Sequence, residues 1–170
     1  MNIGLFFGSF NPVHNGHINI VREVINKTDI DNIWMILSPQ NPEKVMLIEK
    51  EMRYQLLELA TKNLENVSIS RIEFDMPLPN YTYKTLKRIS KENPSENFKI
   101  IIGGDNYRNI HKWKESKFIL DNYELIVYPR SRKDIDKSFT SKLFDVSSSQ
   151  IRNLVMSGKS IKGLVPDCIE

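Results

Sequence analysis

The sequence begins with the stretch IGLFFGSFNPVHNGH, residues 3–17, and this stretch decides the fold class. Residues 3–7 form a short apolar run that ends at Gly8, as a buried strand does. Beyond the stretch, Ile18, Val21 and Ile25 recur every three or four positions, which predicts an amphipathic helix. The chain therefore opens with a buried strand, a polar loop and a helix.

The same alternation of strand and helix continues along the chain. Apolar runs predict further strands at residues 33–37, 98–102 and 125–128, and alternation of apolar and polar residues predicts one at 67–70, with another short one at 142–145. A helix between the second and third strands carries one apolar stripe, made of Met52, Leu56, Leu59 and Ala60. Another begins with Thr82 as its N-cap and stops before Pro94, and a last one begins at Ser147 and ends at Gly158.

Buried strands that alternate with amphipathic helices are typical of a parallel sheet covered on both faces. We therefore predict an α/β fold, a doubly wound parallel sheet, in a single domain of residues 1–170 with a closing helical segment from about residue 147. Such sheets bind ligands beyond the carboxyl ends of their strands, where the strand order reverses. Functional residues are expected in the segments that directly follow the strands.

Composition and charge exclude several classes of protein. The 24 basic and 21 acidic side chains give a net charge of +3, a mild excess that does not indicate a nucleic-acid partner. The single cysteine cannot form an internal disulfide, and the longest apolar run, residues 33–37, is too short to span a membrane. We expect a soluble cytoplasmic protein with no membrane partner. The residues fit a monomer and a homo-oligomer equally well.

The loop after the first strand holds two histidines, His14 and His17, three positions apart. If a helix begins near Asn15, His17 lies in its first turn, where free N–H groups and the helix dipole attract anions. A zinc site would need three or four protein ligands, which the sequence does not group with this pair. A cap or surface role is the structural alternative. The pattern favours a phosphate site, and no metal ligands are predicted.

Two motifs carry a resemblance to a known family. Residues 8–17 fit the pattern G-[TS]-F-[DN]-P-x-H-x-G-H, and residues 146–152 resemble I-S-[SA]-T-x-I-R with Ser149 in place of Thr. Over nearly its whole length the chain resembles bacterial nicotinate mononucleotide adenylyltransferases, of the Rossmann-like nucleotidyltransferase superfamily. The resemblance implies AMP transfer from ATP to nicotinate mononucleotide in NAD biosynthesis. The products would be nicotinate adenine dinucleotide and pyrophosphate.

Middle segments separate this family from its neighbours. Residues 80–86 resemble S-Y-T-x-x-T-L, and residues 101–105 followed by Trp113 resemble I-I-G-x-D with a later Trp. The nearest alternative, phosphopantetheine adenylyltransferase, shares the end motifs but lacks these segments. A non-catalytic nucleotide-binding protein of this fold is the alternative from another class. It would be expected to have lost the phosphate-contacting side chains, which include Lys44 of the Asn-Pro-Glu-Lys segment 41–44.

The resemblance implies a set of site residues. The catalytic group is His17, His14 and Arg152. The ATP-binding group is Gly8, Ser9, Phe10, His14, Gly16, His17, Lys44, Gly103, Asp105, Arg130, Ser147, Ser148, Ser149 and Arg152. The mononucleotide-binding group is Ser9, Phe10, Lys44, Tyr81, Thr82, Thr85, Asp105, Trp113 and Lys114. Mg²⁺ is expected with ATP, held mainly by substrate phosphates. Lys114 either favours the acid over the amide or is a plain surface lysine.

Overall fold

The computed structural model describes residues 1–39, 48–140, 142 and 146–169. The strands are β1 Asn2–Gly8, β2 Asn32–Leu37, β3 Val67–Ser70, β4 Asn97–Gly103 and β5 Glu124–Tyr128. The helices are α1 Asn15–Lys27, α2 Lys50–Thr61, α3 Thr82–Glu92, α4 Gly104–Arg108, α5 Ser116–Asn122 and α6 Ser148–Met156. Short 3₁₀ helices lie at Ile72–Asp75, Ile110–Lys112, Arg132–Lys137 and Asp167–Ile169.

The five strands form one parallel sheet in the order β3-β2-β1-β4-β5. From β1 the chain adds strands on one side as far as β3, then crosses to the other side of β1 to place β4 and β5. The strand order therefore reverses between β1 and β4. The carboxyl ends of these two strands, at Gly8 and Gly103, mark the crevice where such sheets bind ligands.

Helices cover both faces of the sheet, as the sequence predicted. One face packs Phe6 and Met35 against α1 and α2, through side chains such as Val24 and Leu57. The other face packs its strands against α3 and α5, with Ile119 among the buried side chains. The predicted fold class is confirmed. No helix among the described residues is long and apolar enough to cross a lipid bilayer.

Helix α2 turns a different face to the core than its apolar stripe predicts. Met52 and Leu59 are 49% and 43% exposed, whereas Arg53, Leu57 and Thr61 are buried. The stripe prediction is wrong for Met52 and Leu59, because the helix is rotated so that Arg53 points inward. Leu56 and Ala60 are partly buried against the core, as expected.

One boundary prediction also changes, and one predicted strand falls largely outside the described residues. Tyr81, not Thr82, is the N-cap of α3, and its side chain makes no capping hydrogen bond. Of the short strand predicted at 142–145, only Lys142 is described, and it lies in no strand. The end of α6 follows the prediction: Gly158 has φ +70°, and the Lys159 and Gly158 N–H groups donate to Leu154 and Val155 carbonyls.

Candidate active site

The start of α1 is a capping box built from the two histidines. His14 is the N-cap, and its Nδ1 accepts the His17 N–H at 3.3 Å. In return, His17 Nδ1 accepts the His14 N–H at 3.1 Å. The rings stack with centroids 3.7 Å apart. Because each Nδ1 accepts a hydrogen bond, the proton of each neutral ring belongs on Nε2.

Burial determines the charge of His14. The side chain is 2% exposed, and burial, with the nearby Arg130 charge, lowers its pKa from 6.5 to about 4. At neutral pH the ring therefore offers an N–H group and not a positive charge. The arginines near the histidine loop, Arg130 and Arg152, supply positive charge there.

The expectation of free N–H groups at the start of α1 is also partly wrong. The Asn15 N–H donates to the Leu164 carbonyl at 2.8 Å, and the His17 N–H is held by His14. Only the Gly16 N–H has no acceptor among the described residues. A Cβ at Gly16 would lie 2.8 Å from the His14 ring, so only glycine leaves room for this stacked pair.

The start of α6 is more open. Ser147 is the N-cap, and its Oγ accepts the Gln150 N–H at 3.1 Å. Within the described part of the chain, the N–H groups of Ser148 and Ser149 have no acceptor. The Ser148 hydroxyl donates to the Pro12 carbonyl at 2.8 Å, which fastens this helix to the histidine loop.

Arginines join the two helix starts. Arg152 donates to the Asn11 carbonyl at 2.7 Å and to Ser149 Oγ at 3.1 Å. Arg130, after β5, donates to the Val146 carbonyl at 3.5 Å and lies close enough to His14 to lower its pKa. The predicted catalytic trio of His14, His17 and Arg152 is therefore brought together at one end of the sheet.

Asp134 is a site-building residue that the sequence reasoning missed. Its buried carboxylate accepts the N–H groups of Arg130 and Ser131, each at 2.9 Å, and pairs with Arg108. A Cβ at Gly104 would clash with it, so glycine is needed where α4 begins. Asp134 thus fixes the loop that carries Arg130 against the loop after β4. Its signal in the sequence is the Ser131–Asp134 spacing of a capping box.

Tyr81, Thr82, Asp105, Trp113 and Lys114, five of the predicted mononucleotide-binding residues, lie at the start of α3 and in the segment after β4. Tyr81 and Thr82 stand at the start of α3, partly buried. The Nζ of Lys114 lies 4.9 Å from the centre of the Tyr81 ring, so the two segments meet. Trp113 is partly buried against the core face that holds α3 and α5. Asp105 is exposed in the first turn of α4.

Two predicted substrate contacts are placed differently. Thr85 is fully buried, and its hydroxyl donates to Glu73 Oε2 at 2.8 Å, so the side chain supports the site from inside. Phe10 is 2% exposed, with its ring at an edge-on distance of 4.9 Å from His17, so only its backbone is left to meet a ligand. The strand ends Gly8 and Gly103, and Ser9 beside Gly8, line the predicted crevice. Lys44 lies outside the described residues.

Glu73 is a second buried group that the sequence reasoning missed. It is 2% exposed, and burial raises its pKa from 4.5 to about 7, against hydrogen bonds from the Thr85 and Ser38 side chains. It links the end of β2 to α3 beneath Tyr81 and Thr82. No sequence pattern marked it, because the residues it joins are distant along the chain.

Comparison with known proteins places this site within a class. The family described as cytidylyltransferase-like matches residues 5–154, so the chain belongs to this class of nucleotidyltransferase fold. The "Probable nicotinate-nucleotide adenylyltransferase" of Cytophaga hutchinsonii is 41% identical over 182 residues, covering all of this chain and 94% of the relative. The protein of that name in Flavobacterium psychrophilum is 38% identical, covering 98% and 92%.

Within the class, the chain belongs to the family of nicotinate-nucleotide adenylyltransferases, and the family predicted from the motifs is confirmed. A solved structure agrees on the fold. Plasmodium falciparum nicotinic acid mononucleotide adenylyltransferase, complexed with NaAD, superimposes with a TM-score of 0.83 at 22% identity, over 99% of this chain and 92% of that one.

Proposed function

We propose that this protein transfers AMP from ATP to nicotinate mononucleotide, forming nicotinate adenine dinucleotide and releasing pyrophosphate. The observation that carries the proposal is the joining of two helix starts by Arg152, which sets His14 and His17 beside the open N–H groups of α6. The names of the relatives, at 38% and 41% identity, support the same activity. The sequence-based expectation of a cytoplasmic location stays a prediction.

The reaction is a displacement at the α-phosphorus of ATP. An oxygen of the mononucleotide's phosphate attacks that phosphorus, the bond to the oxygen that bridges the α- and β-phosphates breaks, and pyrophosphate leaves with the bonding electrons. A phosphate monoester has a second pKa of about 6 and is mostly dianionic at neutral pH. The nucleophile therefore needs no general base, and the protein supplies alignment and charge stabilisation.

Each part of the phosphate side has a role in this proposal. His17 donates from Nε2 to the α-phosphate, where charge builds up as the new bond forms. His14 and Arg152 hold the β- and γ-phosphates, His14 as a neutral donor and Arg152 as the cation. The backbone N–H groups of Ser148 and Ser149 add donors at the positive end of α6. Lys44 assists from the segment outside the described residues.

On the mononucleotide side, Trp113 and the α3 entrance receive the pyridine ring, and Asp105 accepts from the ribose hydroxyls. Mg²⁺ enters with ATP in this proposal. Among the described residues, no three His, Cys, Asp or Glu side chains are grouped as ligands for one ion. The hydrogen-bond donors of the site, N–H groups and arginine, fit phosphate oxygens and not a metal, so the ion's oxygen ligands would come from ATP and water.

Pyrophosphate release, measured with ATP and Mg²⁺, tests the proposal directly. Nicotinate mononucleotide, its amide and phosphopantetheine are compared as acceptors at equal concentration. We expect the nicotinate compound to support turnover and phosphopantetheine to support none. Turnover with phosphopantetheine would identify the alternative enzyme, and ATP binding without release with any acceptor would identify a non-catalytic nucleotide-binding protein.

A further inference from the structure

Arg53 is an arginine buried beneath the candidate site, at the end of the first turn of α2. It is 1% exposed. Its guanidinium donates four hydrogen bonds, all to backbone carbonyls: Ile48 at 2.9 Å, Ser9 at 2.8 Å, Ser38 at 2.8 Å and Pro39 at 2.6 Å. Burial lowers the pKa of the guanidinium, yet an arginine remains protonated in proteins.

These carbonyls belong to segments that are far apart in the sequence. Ser9 begins the loop that leads to His14, five residues further on. Ser38 and Pro39 follow β2, the neighbour of β1 in the sheet. A direct hydrogen bond from the Ser38 N–H to the Gly8 carbonyl, 2.9 Å, joins the same two strand ends. Arg53 therefore fixes the first residue of the histidine loop relative to the end of β2.

The charge of Arg53 also has an electrostatic consequence. Carbonyl oxygens crowd the carboxyl ends of parallel strands, and each carries partial negative charge that opposes an incoming phosphate. Three of these oxygens, those of Ser9, Ser38 and Pro39, accept hydrogen bonds from the guanidinium, as does the Ile48 carbonyl before α2. No Asp or Glu among the described residues forms a salt bridge with it, and the Glu49 carboxylate interacts with it only at longer range. The buried cation makes this strand edge more favourable for anions.

We propose that Arg53 is a positioning residue for the transfer step: it holds the Ser9 end of the histidine loop in place, and through it the two imidazoles. The proposal rests on the proposed function. A shift of about 1 Å in an aligned group can cost up to about 10² in rate, so loss of the hydrogen bonds that the Arg53 guanidinium donates should reduce kcat. The substrates contact other residues, so their KM values should change little.

Arg53→Lys is the central test, because lysine keeps the charge but cannot reach four carbonyls with one ammonium group. Well below its melting temperature, we expect this variant to lose at least about tenfold in kcat, with KM for ATP and for nicotinate mononucleotide within about threefold. Arg53→Met leaves buried carbonyls unpaired and should lower the melting temperature strongly. Arg22→Met, at an exposed arginine of α1, is the matched control and should keep wild-type kcat and stability.

Histidine NMR supplies a readout that does not require turnover. The chain has 3 histidines, and His111 is exposed and outside the loop. We expect the ring signals of His14 and His17 to shift in Arg53→Lys while that of His111 stays. Wild-type kcat in the lysine variant, or unmoved His14 and His17 signals, would overturn the proposal. An inactive wild-type protein would instead refute the proposed function, and the ring signals would still decide the role of Arg53.

Discussion

The two helix starts that meet at the candidate site differ in what they leave available to a ligand. At α1 the reciprocal histidine cap and the Leu164 carbonyl occupy the N–H groups of His17 and Asn15. At α6 the cap from Ser147 reaches only Gln150, so Ser148 and Ser149 keep their N–H groups open within the described structure. One start is closed and the other is open, although both follow a loop that resembles a phosphate-binding motif.

The difference shows that the start of a helix can contribute to anion binding in two ways. At α1 the histidine cap and the Leu164 carbonyl leave only the Gly16 N–H without an acceptor among the described residues, so the ligand-facing chemistry belongs mainly to the two rings, whose tautomers are set. At α6 the side chains of Ser147 and Ser148 are used up in capping and docking, so the chemistry belongs to the backbone. Fixed side-chain donors suit the reacting phosphate, where geometry matters most, and open N–H groups suit the leaving pyrophosphate.

The largest effect on kcat is expected from replacing His17, at the start of α1, by alanine. The substitution removes the donor proposed for the α-phosphate, and loss of one such contact costs about 2.7–4 kcal/mol, or about 10²–10³ in kcat. The His14 N–H also loses its acceptor, for about 1 kcal/mol of stability. Pyrophosphate release and far-UV circular dichroism are the measurements, with His111→Ala as control. A kcat near the wild-type value would remove His17 from the mechanism.

The neutrality of His14 can be tested by the pH dependence of stability. Its pKa is about 4 in the folded protein and 6.5 unfolded, so only the unfolded state gains this proton as pH falls from 6.5 to 4. The free energy of unfolding should therefore fall over that window, by about 3 kcal/mol from this group. Glu73, with a pKa raised from 4.5 to about 7, acts oppositely: its contribution is present below pH 4.5 and lost as pH rises through 7.

Because the two groups oppose each other, the His14 measurement belongs in a Glu73→Gln background. Denaturant unfolding of Glu73→Gln is compared, between pH 4 and 7, with that of the double variant His14→Asn/Glu73→Gln. Asparagine is a good N-cap, so the helix start is kept. The first protein should lose about 3 kcal/mol more than the second on acidification. Parallel curves would mean that His14 takes up its proton over the same pH range in the folded and unfolded states, so that burial does not keep its ring neutral.

Two proline substitutions, one at each helix start, test the difference between the two starts. Ser148 and Asn15 are the first residues of their helices, where proline is tolerated, and each follows an extended residue. Ser148→Pro deletes an open N–H; relative to Ser148→Ala it should raise KM for ATP at least about tenfold, the value of a hydrogen bond to a charged group. Asn15→Pro deletes an occupied N–H; relative to Asn15→Ala it should cost about 1 kcal/mol of stability and leave KM alone. Equal effects on KM for ATP would mean that the two helix starts do not differ in how their N–H groups serve ATP binding.

The sequence predicts the sheet and the motif loops well because both depend on local patterns. Apolar runs marked four of the five strands and alternation marked β3, and the position of His14 and His17 after the first strand placed them at a helix start. It fails where distant segments decide the outcome. The rotation of α2 follows from Arg53, whose acceptors lie at Ser9 and Ser38, so Met52 and Leu59 are exposed despite their helical spacing.

For the site residues too, local patterns predict which residues are involved, and distant segments decide their environment. Thr85 belongs to a motif that resembles a substrate-binding segment, yet its hydroxyl is bonded to Glu73, twelve residues away and in no motif. The neutral state of His14 depends on burial and on Arg130, which approaches only after β5 is placed beside β4. A motif identifies which residues gather at a site, while burial and partners decide their charge and their exposure.

The smallest effect is expected at Lys114, which belongs to neither helix start. Its substitution tests whether a charged side chain away from the two starts helps to recognise the nicotinate carboxylate. Its exposed Nζ lies 4.9 Å from the centre of the Tyr81 ring, beside the segment proposed to receive the nicotinate ring. An exposed ion pair is worth about 0.2–1 kcal/mol, so Lys114→Ala should lower the acid-to-amide ratio of kcat/KM by up to about fivefold. The change should shrink as salt is raised, because exposed charges are screened within about 8 Å at physiological ionic strength. Lys112→Ala, an exposed lysine two positions earlier, is the control; an unchanged ratio in the Lys114 variant would assign acid recognition to backbone N–H groups, which salt and lysine substitution leave in place.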